Sequence, residues 1–182
     1  MKERPIIFNA EMVRAILDGR KTQTRKIIKF PIGWDYDENE FRKGIVKCPY
    51  GQPGDRLWVR ETFRVRHFGS VKHCDYKSDG GPDKFSGKLK WRHPAHMLRW
   101  ASRITLEITD VRVERLQEIS EEEAQKEGTI LPLQNTSIAG AFKSHKRQFA
   151  VLWNSLNKTH RWQDNPWVWV IMFKRLTPNS GG

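Results

Sequence analysis

A short segment near the start of the chain concentrates groups that could do chemistry. Residues 19–25 read Gly-Arg-Lys-Thr-Gln-Thr-Arg, which brings cations and hydroxyls together directly after a predicted helix. Lys and Arg donors together with Thr hydroxyls can surround a phosphate. A Thr hydroxyl can also act as a nucleophile, provided that a neighbouring base such as a Lys with a lowered pKa takes its proton. A solvent-exposed basic strand is the third interpretation, and these residues alone favour it.

The charge of the chain indicates which partners to expect. The 182 residues include 33 Lys and Arg against 21 Asp and Glu, a net charge of +12, and the pI is near 10.0. Such an excess favours polyanions, most often nucleic acid, because each cation that neutralises a phosphate releases counterions. The cations cluster at 20–29 and 84–103, whereas acids concentrate at 114–127. We therefore expect one basic surface beside a local acidic element.

Several classes of protein are disfavoured by the sequence. No apolar run approaches the roughly 20 residues of a membrane-spanning helix, and residues 1–5 lack the apolar stretch of a secretory signal. Cys48 and Cys74 are the two cysteines, and their spacing indicates neither a disulfide framework nor a zinc site. His93 and His96 have a spacing that can serve metals, but without further ligands a solvated loop is favoured. We expect a soluble, cytoplasmic protein with no cofactor, no metal and no membrane partner.

Periodicity and turn signals place the elements that must position the basic segment. Helices are expected at 9–19, 120–128 and 141–156, and strands at 21–28, 56–63, 103–113 and 167–176. Ser120 and Glu123 match a capping box, and Ile104, Leu106 and Ile108 alternate with polar residues. Residues 64–100 show no sustained period and suggest an insertion or long functional loop, and a second loop spans 129–145. Strands outnumber helices without βαβ alternation, which favours an α+β fold, a small mixed β-barrel with flanking helices and two enlarged loops. We expect a single domain at 1–176 and a disordered tail at 177–182.

Two motifs carry a resemblance to a known family. In residues 16–25, Gly19, Lys21 and Arg25 fit a Gly-x-Lys core with a downstream Arg after a helix. The second motif, residues 53–61, reads Pro-Gly-Asp-Arg-Leu-Trp-Val-Arg-Glu. Together they resemble the signature of the ASCH domain family, whose members have a PUA-like β-barrel. The similarity continues to the final predicted strand but leaves the two enlarged loops largely unmatched. Longer members of this kind are often encoded by phages and prophages.

The resemblance implies binding of RNA or other nucleic acid, or of a modified nucleoside. Small bacterial members are amidohydrolases that remove the acyl group from N4-acetylcytidine, and Lys21, Thr24 and Glu127 match their triad. This implies that Lys21 takes the proton of Thr24, that Thr24 attacks the acyl carbonyl, and that Glu127 orients the Lys and protonates the leaving amine. Because odd and even positions of a strand face opposite ways, a bulge or turn at Thr22 or Gln23 is then required.

A non-catalytic nucleic-acid-binding module and a metal-independent ribonuclease are the alternatives to this enzyme. Besides Arg25, candidate ligand contacts lie on the strand that resembles the wall of the family's cleft: Trp58, Arg60 and Glu61. There an aromatic face can stack on a base and a carboxylate can accept from an exocyclic amine, although core packing and ion pairing explain these residues equally well. Candidate nucleic-acid contacts combine cations with an aromatic ring: Arg20, Lys26, Lys88, Lys90, Trp91, Arg92 and Arg99.

Overall fold

The structure is a computed structural model, and it describes most of the chain. The described ranges are 1–29, 46–80, 90–130 and 144–177. The candidate contact Lys88, the tail at 177–182 after its first residue, and the first turn of the helix expected at 141–156 lie outside the described residues. So do parts of the two enlarged loops. In the described ranges, no helix is long and apolar enough to cross a membrane.

A five-stranded mixed sheet organises the fold. The strands in the described ranges are β1 (Glu3–Ile7), β2 (Gln23–Ile27), β3 (Arg56–Arg60), β4 (Phe63–Phe68), β5 (Val71–Tyr76), β6 (Thr105–Arg115) and β7 (Trp167–Leu176). The sheet has the order β1-β3-β6-β7-β2, with β1 parallel to β3 and its other pairs antiparallel, and β4 and β5 form a separate hairpin. This arrangement confirms the α+β prediction. Among the described strands, no hydrogen-bonded pairing joins β1 to β2, so the sheet is not closed into a barrel.

The described residues include three α-helices, which begin where the sequence carries capping signals. They are α1 (Ala10–Leu17), α2 (Glu121–Lys126) and α3 (His145–Leu156). The Asn9 side chain accepts a hydrogen bond from the Met12 amide, Ser120 and Glu123 form the predicted capping box, and the Ser144 side chain caps α3. These side chains satisfy backbone amides that would otherwise lack partners at the helix starts.

The region 64–100, expected to be an insertion or long functional loop, has regular structure in much of its described part. It contains most of the hairpin β4–β5 and three short 3₁₀ turns, Lys77–Asp79, Pro94–His96 and Arg99–Ala101. Within the hairpin, Arg64 of β4 is buried and pairs with Asp75 of β5 at 2.9 Å. The alternation of Phe63 and Val65 with Arg64 and Arg66 was the signal for β4 that the sequence offered.

Strands β6 and β7 separate two hydrophobic cores. Trp169, Ile171 and Phe173 pack in the core that contains α1, whereas Val168 and Val170 pack in the core that contains α2 and α3. We call these two sides of the sheet the α1 face and the α2–α3 face. Because directly opposite residues of antiparallel strands share a face, the same division applies to β2.

Candidate functional site

Strand β2 divides the predicted site residues between the two faces of the sheet. Thr24 lies opposite Ile171, and Arg25 lies opposite Val170. Thr24 therefore belongs to the α1 face together with Lys26, and Arg25 belongs to the α2–α3 face. The register of β2 is unbroken over its five residues, so the strand itself contains no bulge.

Lys21 and Glu127 form a buried ion pair beside β2. The Lys21 Nζ donates to Glu127 Oε2 at 2.8 Å and to the Glu127 carbonyl oxygen at 3.0 Å. An isolated antiparallel bridge also joins the two backbones outside the named strands. Their side chains are 0% and 3% exposed. The fold thus brings two of the three expected catalytic groups into contact although they are 106 positions apart.

A glycine allows the end of α2 to approach Lys21 this closely. Gly128 follows Glu127 and adopts φ +89°, the left-handed conformation that commonly ends helices. A Cβ at this position would lie 2.9 Å from the Ala15 Cβ and 3.1 Å from the Lys21 Cβ. Position 128 therefore requires glycine both for its backbone angle and for space.

Arg25 holds Glu127 from the other side and extends the pair into a network. Its Nη1 donates to Glu127 Oε1 at 3.2 Å, and its Nη2 donates to Glu114 and Glu123 at 2.9 Å each. Arg112 in turn donates to Glu114 and Glu123. The Arg25 side chain is fully buried among these acids. Arg25, which was expected to contact a ligand, therefore holds Glu127 in place, because buried charges need partners.

Phe8 connects this network to the α1 face. The Lys21 ammonium lies 5.7 Å from the centre of the Phe8 ring, and the Lys26 ammonium lies 5.4 Å from the same centre. Lys21 therefore reaches from Glu127 towards the face that carries Thr24. Among the described residues, no hydrogen bond joins Lys21 to Thr24 itself. The Lys21 ammonium and the Glu127 carboxylate are in contact, and the Thr24 side chain lies on the α1 face, opposite to that of Arg25.

Lys26 has unusual electrostatic surroundings for a lysine. Burial, the largest cause, and repulsion from Lys21 together lower its pKa to about 8, although the carboxylate of Glu127 acts in the opposite direction. Within the described part of the chain it forms no ion pair. Its placement among Phe8 and Lys21 differs from that of the solvent-exposed phosphate contact expected from the sequence.

The residues of the second motif, 53–61, make a separate set of contacts away from the Lys21–Glu127 pair. Trp58 is buried in a third core beneath the hairpin β4–β5, and the Arg60 guanidinium stacks on its ring at 4.6 Å. Glu61 is buried and accepts hydrogen bonds from Arg103 at 3.0 Å and from Ser78. In the described ranges, none of these three motif residues forms a hydrogen bond or ion pair with the Lys21–Glu127 pair.

The candidate nucleic-acid contacts do not form one continuous set. Arg20 binds Asp18 and the Gly128 carbonyl beside the Lys21–Glu127 pair. Lys26 lies on β2 beside Phe8. The others in the described ranges lie near the hairpin, where Trp91 packs beneath the Arg64 guanidinium and Arg99 binds Glu3. Lys90 and Arg92 are exposed there.

One aromatic side chain outside the candidate nucleic-acid contacts is exposed beside a cation. Trp100 is 53% exposed, and the Lys72 ammonium lies 5.5 Å from its ring centre. Glu114 and Glu123, which bind Arg25, were not predicted as site residues, although Asp110, Arg112 and Glu114 alternate along β6 and so share a face. That alternation was the available signal.

A cavity of about 460 Å³ lies against Glu127. Residues of α1 and α3 line it together with residues 127–130, and Arg20 lies at its border. Residues in the described ranges include no group of three His, Cys, Asp or Glu that could hold a metal ion.

This chain resembles known proteins in its structure. No protein-family model and no curated protein matches this chain. The structure is similar to an ASCH domain from Lactobacillus crispatus JV V101, with 17% sequence identity, a TM-score of 0.42, and coverage of 96% of this chain and 79% of that one. It is also similar to a protein from Enterococcus faecalis V583 described by the family model DUF984, with 10% identity, a TM-score of 0.44 and coverage of 90% of this chain. This chain spans 65% of the length of the Enterococcus protein.

Proposed function

We propose that this chain is an ASCH-type, PUA-like protein that binds RNA or a modified nucleoside and hydrolyses the amide of an N4-acylcytidine-like base. The buried contact between Lys21 and Glu127 carries the proposal, because it sets a proton donor and acceptor beside the strand that bears Thr24. The motif resemblance supplies the reaction class. A buried Lys–Glu pair in contact with a third charged group is an arrangement that enzymes use to move protons.

The reaction can be written from these groups. Lys21 accepts a proton only as a neutral amine, and Glu127 Oε2, at 2.8 Å, can take the proton of the ammonium. The Thr24 hydroxyl then loses its proton to Lys21 and its oxygen attacks the acyl carbonyl carbon. The bond from carbon to the exocyclic nitrogen breaks, and Glu127 returns its proton to that nitrogen. Water finally hydrolyses the threonyl ester, which releases the acid and restores the hydroxyl.

Two substitutions test this proposal. Thr24→Val keeps the shape of the side chain but removes the nucleophile, so the turnover of N4-acetylcytidine should fall by at least about 100-fold. Lys21→Ala should have the same effect while the fold is retained, because Arg25 still neutralises Glu127. Thr22→Val, on the half-buried threonine two positions before Thr24, is the matched control, and this variant should keep its activity. Unchanged turnover in Thr24→Val excludes this mechanism.

A non-catalytic nucleic-acid-binding module is the second candidate function. The exposed Trp100 ring beside Lys72 favours it, because single strands are held by stacking on aromatics and by charge. The net charge of +12 adds to this attraction. The affinity for single-stranded RNA should then fall linearly with the logarithm of salt concentration. RNA binding without any acetate release from acylated cytidine would favour this function over the hydrolase.

A further inference from the structure

A second and larger cavity, of about 730 Å³, opens on the α1 face. The start of β1, residues 46–55 and the strands β6 and β7 surround it, and Val111, Val113 and Trp169 are among the apolar residues that line it. Its size lies in the range of small-molecule sites, about 300–1,000 Å³. This cavity is distinct from the one beside Glu127.

One residue that lines the cavity belongs to the same row of side chains as the proposed nucleophile. Thr24 lies opposite Ile171, and Ile171 lies opposite Val111, so these three residues form one row across the α1 face. Ile171 is fully buried in the core between the other two, and neither Ile171 nor Thr24 lines the cavity. The cavity is therefore a site on the same face but separate from the Thr24 hydroxyl.

The rim of the cavity is positively charged. Lys2, Arg4 and Lys47 line it, and in the described part of the chain neither lysine has an ion-pair partner. Asp55 is the one carboxylate among its described lining residues. It is already bound, because it accepts hydrogen bonds from the Lys2 amide at 2.7 Å and from Arg4 at 3.2 Å. These hydrogen bonds lower the pKa of Asp55, so it holds Arg4 in place as an anion.

Arg112 also lines this cavity, but its charge is balanced by acids on the other face. Cys48 contributes no charge, because burial raises the pKa of its thiol. The rim thus has a surplus of cations on one side of an apolar floor. A nucleobase, which can lay an aromatic face on an apolar floor, with a covalently attached phosphate matches both parts of such a site.

We propose that this cavity binds a nucleoside phosphate, with its phosphate at Lys2, Arg4 and Lys47 and its base on the floor formed by Val111, Val113 and Trp169. The inference rests on the proposed function for the identity of the nucleoside. It adds that a nucleotide, alone or within RNA, binds here more tightly than the free nucleoside.

Calorimetric titration with three simple ligands tests the inference. Cytidine 5′-monophosphate should bind at least about tenfold more tightly than cytidine or than inorganic phosphate, because a charge-assisted contact is gained without loss of the base. In the double variant Lys2→Gln, Lys47→Gln, the affinity for the monophosphate should fall by at least about tenfold while that for cytidine is unchanged. Lys158→Gln, another exposed lysine outside the cavity, is the matched control.

The outcomes separate this inference from the proposed hydrolase. Equal binding of cytidine and its monophosphate, or no binding of the monophosphate, overturns the inference. An affinity loss in the double variant no greater than in Lys158→Gln overturns it as well. Because the ligands carry no acyl group, Thr24→Val should bind the monophosphate like the wild type. Absence of acylcytidine turnover would then contradict the hydrolase alone.

Discussion

Replacement of Lys26 with Met should make the protein more stable at neutral pH. Lys26 is partly buried, its ammonium lies over the Phe8 ring, and the nearby charges are Lys21 and Glu127. Met has a similar length and can pack against an aromatic ring without a charge to desolvate. The substitution therefore removes an unfavourable charge while it retains most of the packing.

The magnitude follows from the lowered pKa. The ordinary value is 10.5 and the value in the folded protein is about 8. A difference of one pH unit corresponds to about 1.4 kcal/mol, so the charged lysine costs the folded state about 3 kcal/mol. Below pH 8 the lysine is charged in both states and the whole cost is present. Between pH 8 and 10.5 the unfolded state binds more protons, so the wild type gains stability as the pH rises.

Chemical denaturation at pH 7, 8, 9 and 10 measures this effect as the difference in the free energy of unfolding between Lys26→Met and the wild type. The difference should approach 3 kcal/mol at pH 7 and shrink steadily above pH 8. Lys29→Met, on an exposed lysine three residues later, controls for hydrophobicity and should change stability by less than about 0.5 kcal/mol at every pH. A difference that is independent of pH, or a loss of stability at pH 7, would refute the reasoning.

Three further substitutions test other parts of the structure. Gly128→Ala should lower the free energy of unfolding by about 1–3 kcal/mol in chemical denaturation, because its Cβ would lie 2.9 Å from that of Ala15 and its φ is +89°. A loss below about 0.5 kcal/mol would contradict the packing described. Glu61→Gln should lower the free energy of unfolding by about 1–3 kcal/mol and lower the thermal midpoint of unfolding, because Arg103 loses a buried partner. An unchanged midpoint would show that this pair is not stabilising. Trp100→Ala should leave stability unchanged but weaken binding of single-stranded RNA by about 1–3 kcal/mol in fluorescence anisotropy; equal affinity would remove the stacking role.

Local signals in the sequence were sufficient for several elements. The capping box at Ser120 and Glu123 correctly located the start of α2, because both interactions lie within one turn. The alternation of Ile104, Leu106 and Ile108 correctly indicated the strand that became β6. Such elements follow from neighbouring residues alone, so no knowledge of the tertiary structure was needed.

Features that depend on distant partners were not accessible in the same way. Arg25 was expected to contact a ligand, but its acids come from positions 89 to 102 residues away. Strand β1 was not expected, because it is stabilised by parallel pairing with β3, which lies more than 50 residues later in the sequence. Strand periodicity alone assigned Thr24 and Arg25 to opposite faces of β2. The structure was needed to show which helices cover each face.

The position of β7 has a consequence for synthesis of the protein on the ribosome. This strand follows all the others in the sequence, yet it lies between β6 and β2 inside the sheet. Until it has left the exit tunnel, β2 has no strand to pair with, and the interior edge of β6 stays open. The residues around Lys21 therefore assemble only after translation of nearly the whole described chain, and a ribosome that stalls before β7 leaves nascent polypeptide with unpaired backbone for chaperones to shield.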